Sequence, residues 1–280
     1  MSAPSSGYIR LTAASAAYFD IPLPNYPYSI RIDFPWEIQE LESGTFKSKD
    51  FGNAYDKRSS EFSFDLTATV MSNLKTFLMT TARAQAYTLE LASDSGIYPF
   101  GADKGNIGPF SVSVKIDETQ GMGPNPYQYF NAKLRIQNVG VYPAFTLPTE
   151  ISDGALTIGT VSGIRFPIDW FDSKVTDRYD IVHTENSSAY FSDRLSSGDY
   201  FRTQAKFILN TSKAAALLYY LSATARTSTF NLIVGSNVYP FGREKGDNKT
   251  FVVQNISTYL EIKHIQHNRF EIPLSLAWVS

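Results

Sequence analysis

The sequence predicts a mainly β protein built as two tandem, similar β-sandwich or barrel domains, each with one flanking α-helix. An eight-residue stretch occurs twice: Tyr98-Pro99-Phe100-Gly101-Ala102-Asp103-Lys104-Gly105 returns as Tyr239-Pro240-Phe241-Gly242-Arg243-Glu244-Lys245-Gly246. Strand-like alternation of apolar and polar residues surrounds both copies. The 280 residues include 17 Tyr and 20 Phe, rings that suit strands.

The self-match extends well beyond the two turns. Thr81-Ala82-Arg83 corresponds to Thr224-Ala225-Arg226, and Phe64-Asp65-Leu66 to Phe207-Ile208-Leu209. Phe110 and Phe251 stand equally far past the turn tyrosines, and Phe130 to Ile136 aligns with Phe270 to Leu276. Phe34-Pro35-Trp36 finds an echo in Phe166-Pro167-Ile168-Asp169-Trp170. A match in this order, with gaps confined to loops, reads as a tandem duplication. Its period far exceeds the ~20 to 50 residues of solenoid and propeller repeats, so each copy is a domain. The expected boundaries are an extended N-terminal arm at 1–27, a first domain at 28–142, a connector at 143–163 and a second domain at 164–280.

Taken in order, the prolines at 22, 24 and 27 exclude helix and suit an extended arm. Tyr28 to Phe34 alternates as a strand. The charged text from 37 to 60 reads as a long exposed hairpin or loop. Glu61 to Ala68 reads as a half-buried strand. Thr69 or Ser72 then caps a helix to about Ala84, whose apolar stripe is Val70, Leu74, Phe77, Leu78 and Ala82. Tyr87 to Leu91, Phe110 to Ile116 and Asn131 to Val139 complete the first domain as strands. The connector holds one strand, Ala155 to Val161. In the second domain a charged insertion at 171–199 answers the 37–60 loop. A helix capped by Thr211 or Ser212 carries Leu217, Tyr220, Leu221 and Ala225. Phe230 to Val234, Phe251 to Lys263 and Arg269 to Val279 are the closing strands.

Chemistry is sparse. The formal net charge of −2 argues against a basic domain that holds nucleic acid by counterion release. Without cysteine there is no disulfide and no thiolate metal site. No signal peptide and no membrane-spanning run is visible. The four Asn-x-Ser/Thr sequons read as accidents of a Ser/Thr-rich surface. The repeated turn lacks the Gly-Lys-Ser/Thr order of a phosphate loop, and strand rather than helix follows it, so it is a structural turn. Of the histidines His183, His264 and His267, the last two stand three apart in a strand, face opposite sides and read as solvated surface histidines. Glu40 and Glu61, one glycosidase pair that could be imagined, read as solvated charge. No catalytic, cofactor or metal residue is expected. The residues singled out are structural: Tyr98, Pro99, Phe100 and Gly101 in one turn, Tyr239, Pro240, Phe241 and Gly242 in the other.

A doubled β unit with a strand at Phe64/Phe207, a lateral helix, a strand at Leu89/Leu232 and the repeated turn resembles the tail-tube and baseplate-tube proteins of long-tailed bacteriophages. The resemblance is architectural and covers about residues 26–280. It implies a non-enzymatic virion component: a homotrimer whose six units form a pseudo-sixfold ring around a DNA channel, in contact with neighbouring tail proteins. Such a protein is assembled in the bacterial cytoplasm without membrane insertion, and its lumen is expected to be acidic or neutral. Two other classes compete: a carbohydrate-binding or adhesin-type β-sandwich module with rings on exposed loops, and a hydrolase with a dispersed site.

Overall fold

The computed structural model describes residues 3–41, 46–52, 57–81, 86–101, 108–121, 128–139, 154–165, 169–176, 179–183, 189–193, 200–234, 241 and 250–279. The first half contains β1 (Tyr8–Ala13), β2 (Tyr18–Pro22), β3 (Tyr28–Asp33), β4 (Trp36–Glu40), β5 (Phe46–Asp50), β6 (Lys57–Thr67), α1 (Ala68–Thr76), β7 (Tyr87–Leu91), β8 (Phe110–Gly121) and β9 (Tyr129–Asn138). The second contains β10 (Leu156–Ile158), β11 (Val161–Ile164), β12 (Asp169–Thr176), β13 (Tyr179–His183), β14 (Ala189–Asp193), β15 (Tyr200–Leu209), α2 (Thr211–Tyr219), β16 (Thr229–Ile233), β17 (Thr250–Asn255), β18 (Tyr259–Gln266) and β19 (Arg269–Trp278). The protein is mainly β, as expected.

Antiparallel pairing joins fifteen strands into one sheet that runs β11-β10-β16-β17-β19-β18-β3-β6-β9-β8-β7-β1-β2, with β15 beside β19 and β12 beside β15. Both halves therefore share this sheet, and among the described residues no pairing joins its two ends. The same connections appear on each side of the β18–β3 joint. β6 lies between β3 and β9, as β15 lies between β12 and β19. A preceding hairpin adds to β7 through β1, and to β16 through β10. Phe64 faces Ala132 across one strand pair, and Phe207 faces Ile272 across the other.

Strict alternation explains these strands. In β6, Phe62, Phe64 and Leu66 are buried while Glu61, Asp65 and Thr67 are exposed, so one face is core and the other is wet. The same alternation runs through β3, β9, β18 and β19. The two helices lie on the apolar face. Leu74, Phe77, Leu217, Tyr220 and Leu221 are buried there as expected, and Leu78 is half-buried. Each helix passes into a π-helical turn, at Phe77–Thr81 and at Tyr220–Ala225.

Several expectations are corrected. The arm at 1–27 carries strands: β1 and β2 form a hairpin on β7, clamped by Arg10, which donates to both carboxylate oxygens of Asp20 at 2.6 and 2.8 Å. Three nearby prolines excluded helix correctly, but β1 precedes them all. The connector contributes two strands where one was expected, and Gly159 turns between them. A Cβ on Gly159 would sit 2.0 Å from the Tyr220 ring, so only glycine lets this hairpin close onto the helix.

The helices are capped by Thr67, whose Oγ1 accepts from Val70 N, and by Asn210, whose Oδ1 accepts from Lys213 N. Neither Thr69 or Ser72, nor Thr211 or Ser212, holds the cap position. The Thr67 hydroxyl at the end of β6 and the Asn210 amide oxygen just past β15 each reach a free helix amide, so each helix starts directly after its strand. Residues 82–85, including Ala82 of the expected stripe, lie outside the described residues. The charged stretches do form hairpins, β4–β5 and β13–β14.

The Phe-Pro-Trp echo fails. Phe34-Pro35-Trp36 follow β3, whereas Asp169 and Trp170 open β12, so the two motifs sit at opposite ends of corresponding strands. The expected single strand from Phe251 to Lys263 breaks into β17 and β18. Asn255 Oδ1 accepts from Ser257 N there, an Asx turn, and Trp36 Nε1 donates to the Ser257 carbonyl at 3.1 Å. The Trp36 indole thus occupies the break. Arg226, just past the second π turn, pairs with Asp50 and lies over the Trp36 ring, which fixes the β4–β5 hairpin on the second half. The Arg226 guanidinium, first through its hydrogen bond, lowers the Asp50 pKa below the ordinary carboxylate value.

Candidate functional surface

The repeated turn is where the sequence singled out residues, and its first copy is built from the inside. Tyr98 O accepts from Gly101 N at 3.4 Å, and Gly101 has φ +99, a conformation open to glycine. Phe100 is fully buried, with its ring 5.4 Å from Phe110. The buried Arg58 donates from Nη1 to the Phe100 carbonyl at 2.9 Å. In the second copy Phe241 packs on Phe251, again at 5.4 Å, and on Trp278 at 5.7 Å. The turn phenylalanine therefore plugs the sheet against the ring that opens β8 or β17. Tyr239, Pro240 and Gly242 lie outside the described residues.

Tyr98 belongs to the joint between the halves. Its backbone N–H donates to the Tyr28 hydroxyl at 2.9 Å, and its ring packs edge-on against His264 and Phe270. His264 is fully buried, stacked 4.2 Å over Phe270 and edge-on to Tyr26 and Tyr28. This corrects the surface reading of His264. Its strand does alternate, but the inward side meets the other half rather than water. The Tyr28 oxygen, which accepts from Tyr98 N, is also hydrogen-bonded to His264 Nδ1. Burial pushes the His264 pKa down to about 3, Tyr28 well up, and Tyr26 up to about 12. His267 is exposed in the turn after β18, close against Gly96, and His183 ends β13.

The wet face of the central strands carries a row of ion pairs. Arg31 lies 2.8 Å from Asp33 and 3.9 Å from Glu261 across the joint. Arg135 lies 3.7 Å from Glu61 and 3.1 Å from Asp117, which also meets Lys115 at 3.3 Å. Lys206 and Lys263 both reach Glu271 at 3.9 Å. Solvent-exposed pairs of this kind add only ~0–1 kcal/mol each, so their consequence is local neutrality rather than stability.

Two adjoining depressions, of about 610 and about 550 Å³, open on this face on either side of Glu261. Neither presents a nucleophile held by a base. Glu61 faces Arg135, while Glu40 is bound by Arg202 on a different element, so the imagined glycosidase pair is not brought together. Among the described residues no group of three or more His, Asp or Glu gathers as a metal site. No helix there is long and apolar enough to cross a membrane. The joint and its aromatic cluster were missed at the level of sequence; the one available signal was that Tyr26, Tyr28, Tyr98 and His264 all stand close to prolines or turns. No protein-family model matches the chain, and no curated protein is significantly similar to it.

Proposed function

We propose that this chain is a structural component of the tail of a long-tailed bacteriophage: a tail-tube or baseplate-tube ring of three chains, six similar units around a DNA channel. The observation that carries the reading is the repetition of one strand order on both sides of the β18–β3 joint. In this reading the halves are a tandem duplication, each a β unit with a lateral helix, and the joint is the contact between neighbouring units. A closed ring is the economical way to satisfy repeated edges.

The wet face supports the lumen assignment. Each Lys or Arg facing DNA adds a phosphate contact, and Arg31, Arg135, Lys115, Lys206 and Lys263 all have carboxylate neighbours. A conduit needs this neutrality, because bound DNA would stall. Neighbouring tail proteins and assembly in the bacterial cytoplasm belong to the same proposal, which needs no cofactor and no catalysis.

The glycan-binding alternative gains little from three of the exposed rings. Arg10 already covers Tyr18, Arg31 covers Tyr259 and Lys49 lies over Phe51, so these platforms carry their own cations. Electron microscopy of concentrated protein tests the proposal. Rings of six lobes with the mass of three chains are expected; a particle that stays monomeric at every concentration overturns it.

A further inference from the structure

We infer that the outer edge of β12 in one copy pairs antiparallel with residues 118–121 of β8 in a second copy, repeating between chains the joint that β3 and β18 form within one. The inference rests on the ring reading and supplies its contact surface. Within the chain, β3 meets β18 from Tyr28 opposite His264 to Asp33 opposite Tyr259. β3 takes β6 from Ser29 opposite Glu61 to Asp33 opposite Lys57. β12 takes β15 from Asp172 opposite Gln204 to Thr176 opposite Tyr200. With Phe64 matched to Phe207, Ser29 corresponds to Asp172, Arg31 to Lys174 and Asp33 to Thr176.

The other side of the joint corresponds as well. Lys263 of β18 faces Glu271, and Gln120 of β8 faces Asn131, on strands whose residues Ile272 and Ala132 are equivalent. Lys263 therefore corresponds to Gln120, and Glu261 to Glu118. Carrying the in-chain register across places Lys174 opposite Glu118, where the chain itself places Arg31 opposite Glu261. Charge complementarity is kept in the same sense, cation on the first strand and anion on the second. The register dictates the pair.

Both edges are open among the described residues. Among the described residues β12 pairs with β15 alone, and β8 beyond Val112 pairs with β9 alone. Each is the edge that its counterpart fills at the β18–β3 joint. What fits β12 is a strand like β18, and the chain's other such strand is β8. Because the two edges differ, the contact is head to tail, and it closes into a ring or propagates.

Thiol pairing tests this without background, since the chain has no cysteine. Cα atoms opposite one another in an antiparallel pair are about 4.5–5.5 Å apart, within disulfide reach. Under mild oxidation, a mixture of Lys174→Cys and Glu118→Cys proteins is expected to give covalent dimers, with none from either variant alone. The doubly substituted chain is expected to give covalent trimers and nothing larger. Pairing Lys174→Cys with Thr119→Cys loses the dimer, because neighbouring strand positions face opposite sides. Lys174→Glu should lower the yield of rings, and adding Glu118→Lys should restore it.

The failures separate. Rings in the microscope without the Lys174–Glu118 crosslink overturn this joint and leave the ring reading standing. Crosslinks that continue past three chains support the joint and overturn three-chain closure. Dimer from a single variant alone, or a doubly substituted chain linked only to itself, overturns the head-to-tail contact. A monomer with neither rings nor crosslinks overturns both.

Discussion

In α1, Met71, Leu74 and Phe77 are buried while Ser72, Asn73 and Thr76 stay in water; in α2 every residue from Lys213 to Leu218 is buried. The two helices begin alike, on a cap from the end of the preceding strand, and Leu74 and Leu217 hold the same place against their sheets. The difference lies on the far side. The β10–β11 hairpin folds over α2, where Lys213 Nζ donates to the Ser162 carbonyl and the Tyr220 ring rests on Gly159. Over α1 the corresponding hairpin offers Phe19, stacked 5.7 Å from Phe77. The run Ala214-Ala215-Ala216-Leu217-Leu218 is the sequence trace of a helix covered all round, whereas α1 keeps one polar side. One scaffold thus carries a helix that is clamped and a helix that is only seated. The clamped one is expected to hold the second half together more tightly.

The largest effects should come from the shared stripe. Leu221→Ala, Leu217→Ala and Leu74→Ala each remove a fully buried side chain and should cost ~2–5 kcal/mol in urea unfolding. Leu78→Ala, at a half-buried position, should cost less, about 1 kcal/mol. Equal losses at Leu78 and Leu221 would erase the distinction between the two helices.

Acid should act on the joint rather than on either helix. His264 takes a proton near pH 6.5 when unfolded but only near pH 3 when folded. Between those values the unfolded chain binds more protons, so stability falls as pH drops from about 6.5 towards 3. The loss is on the order of several kcal/mol. His264→Phe should flatten this limb of the stability–pH curve, and an unchanged limb would place the acid sensitivity elsewhere.

Lys213 isolates the clamp. It stands where α1 has Val70, and Lys213→Met keeps the apolar stem while leaving the Ser162 carbonyl without this donor. A loss of about 1–3 kcal/mol is expected, against nearly none for Val70→Met, read from the denaturation midpoint. The smallest effect tests what the helices share: Thr67→Ala and Asn210→Ala should each cost ~0.5–2 kcal/mol, by similar amounts.

The sequence by itself determined the period-two alternation of the strands and the two helices with their buried leucines. Each depends on residues within a few positions of one another, so local spacing records it. The charged stretch at 37–60 reads as an exposed hairpin or loop, and a hairpin, β4–β5, forms there. Strand content in the arm was not legible, because β1 becomes a strand by pairing with Leu89 and its neighbours, far along the chain. His264 shows the limit most plainly. Alternation put it on one face of β18, but whether that face meets water or Tyr28 depends on which strand lies beside β18. Only the tertiary structure decided that, since pairing between distant segments is set by mutual fit of edges and side chains, and neither partner carries a local sign of the other.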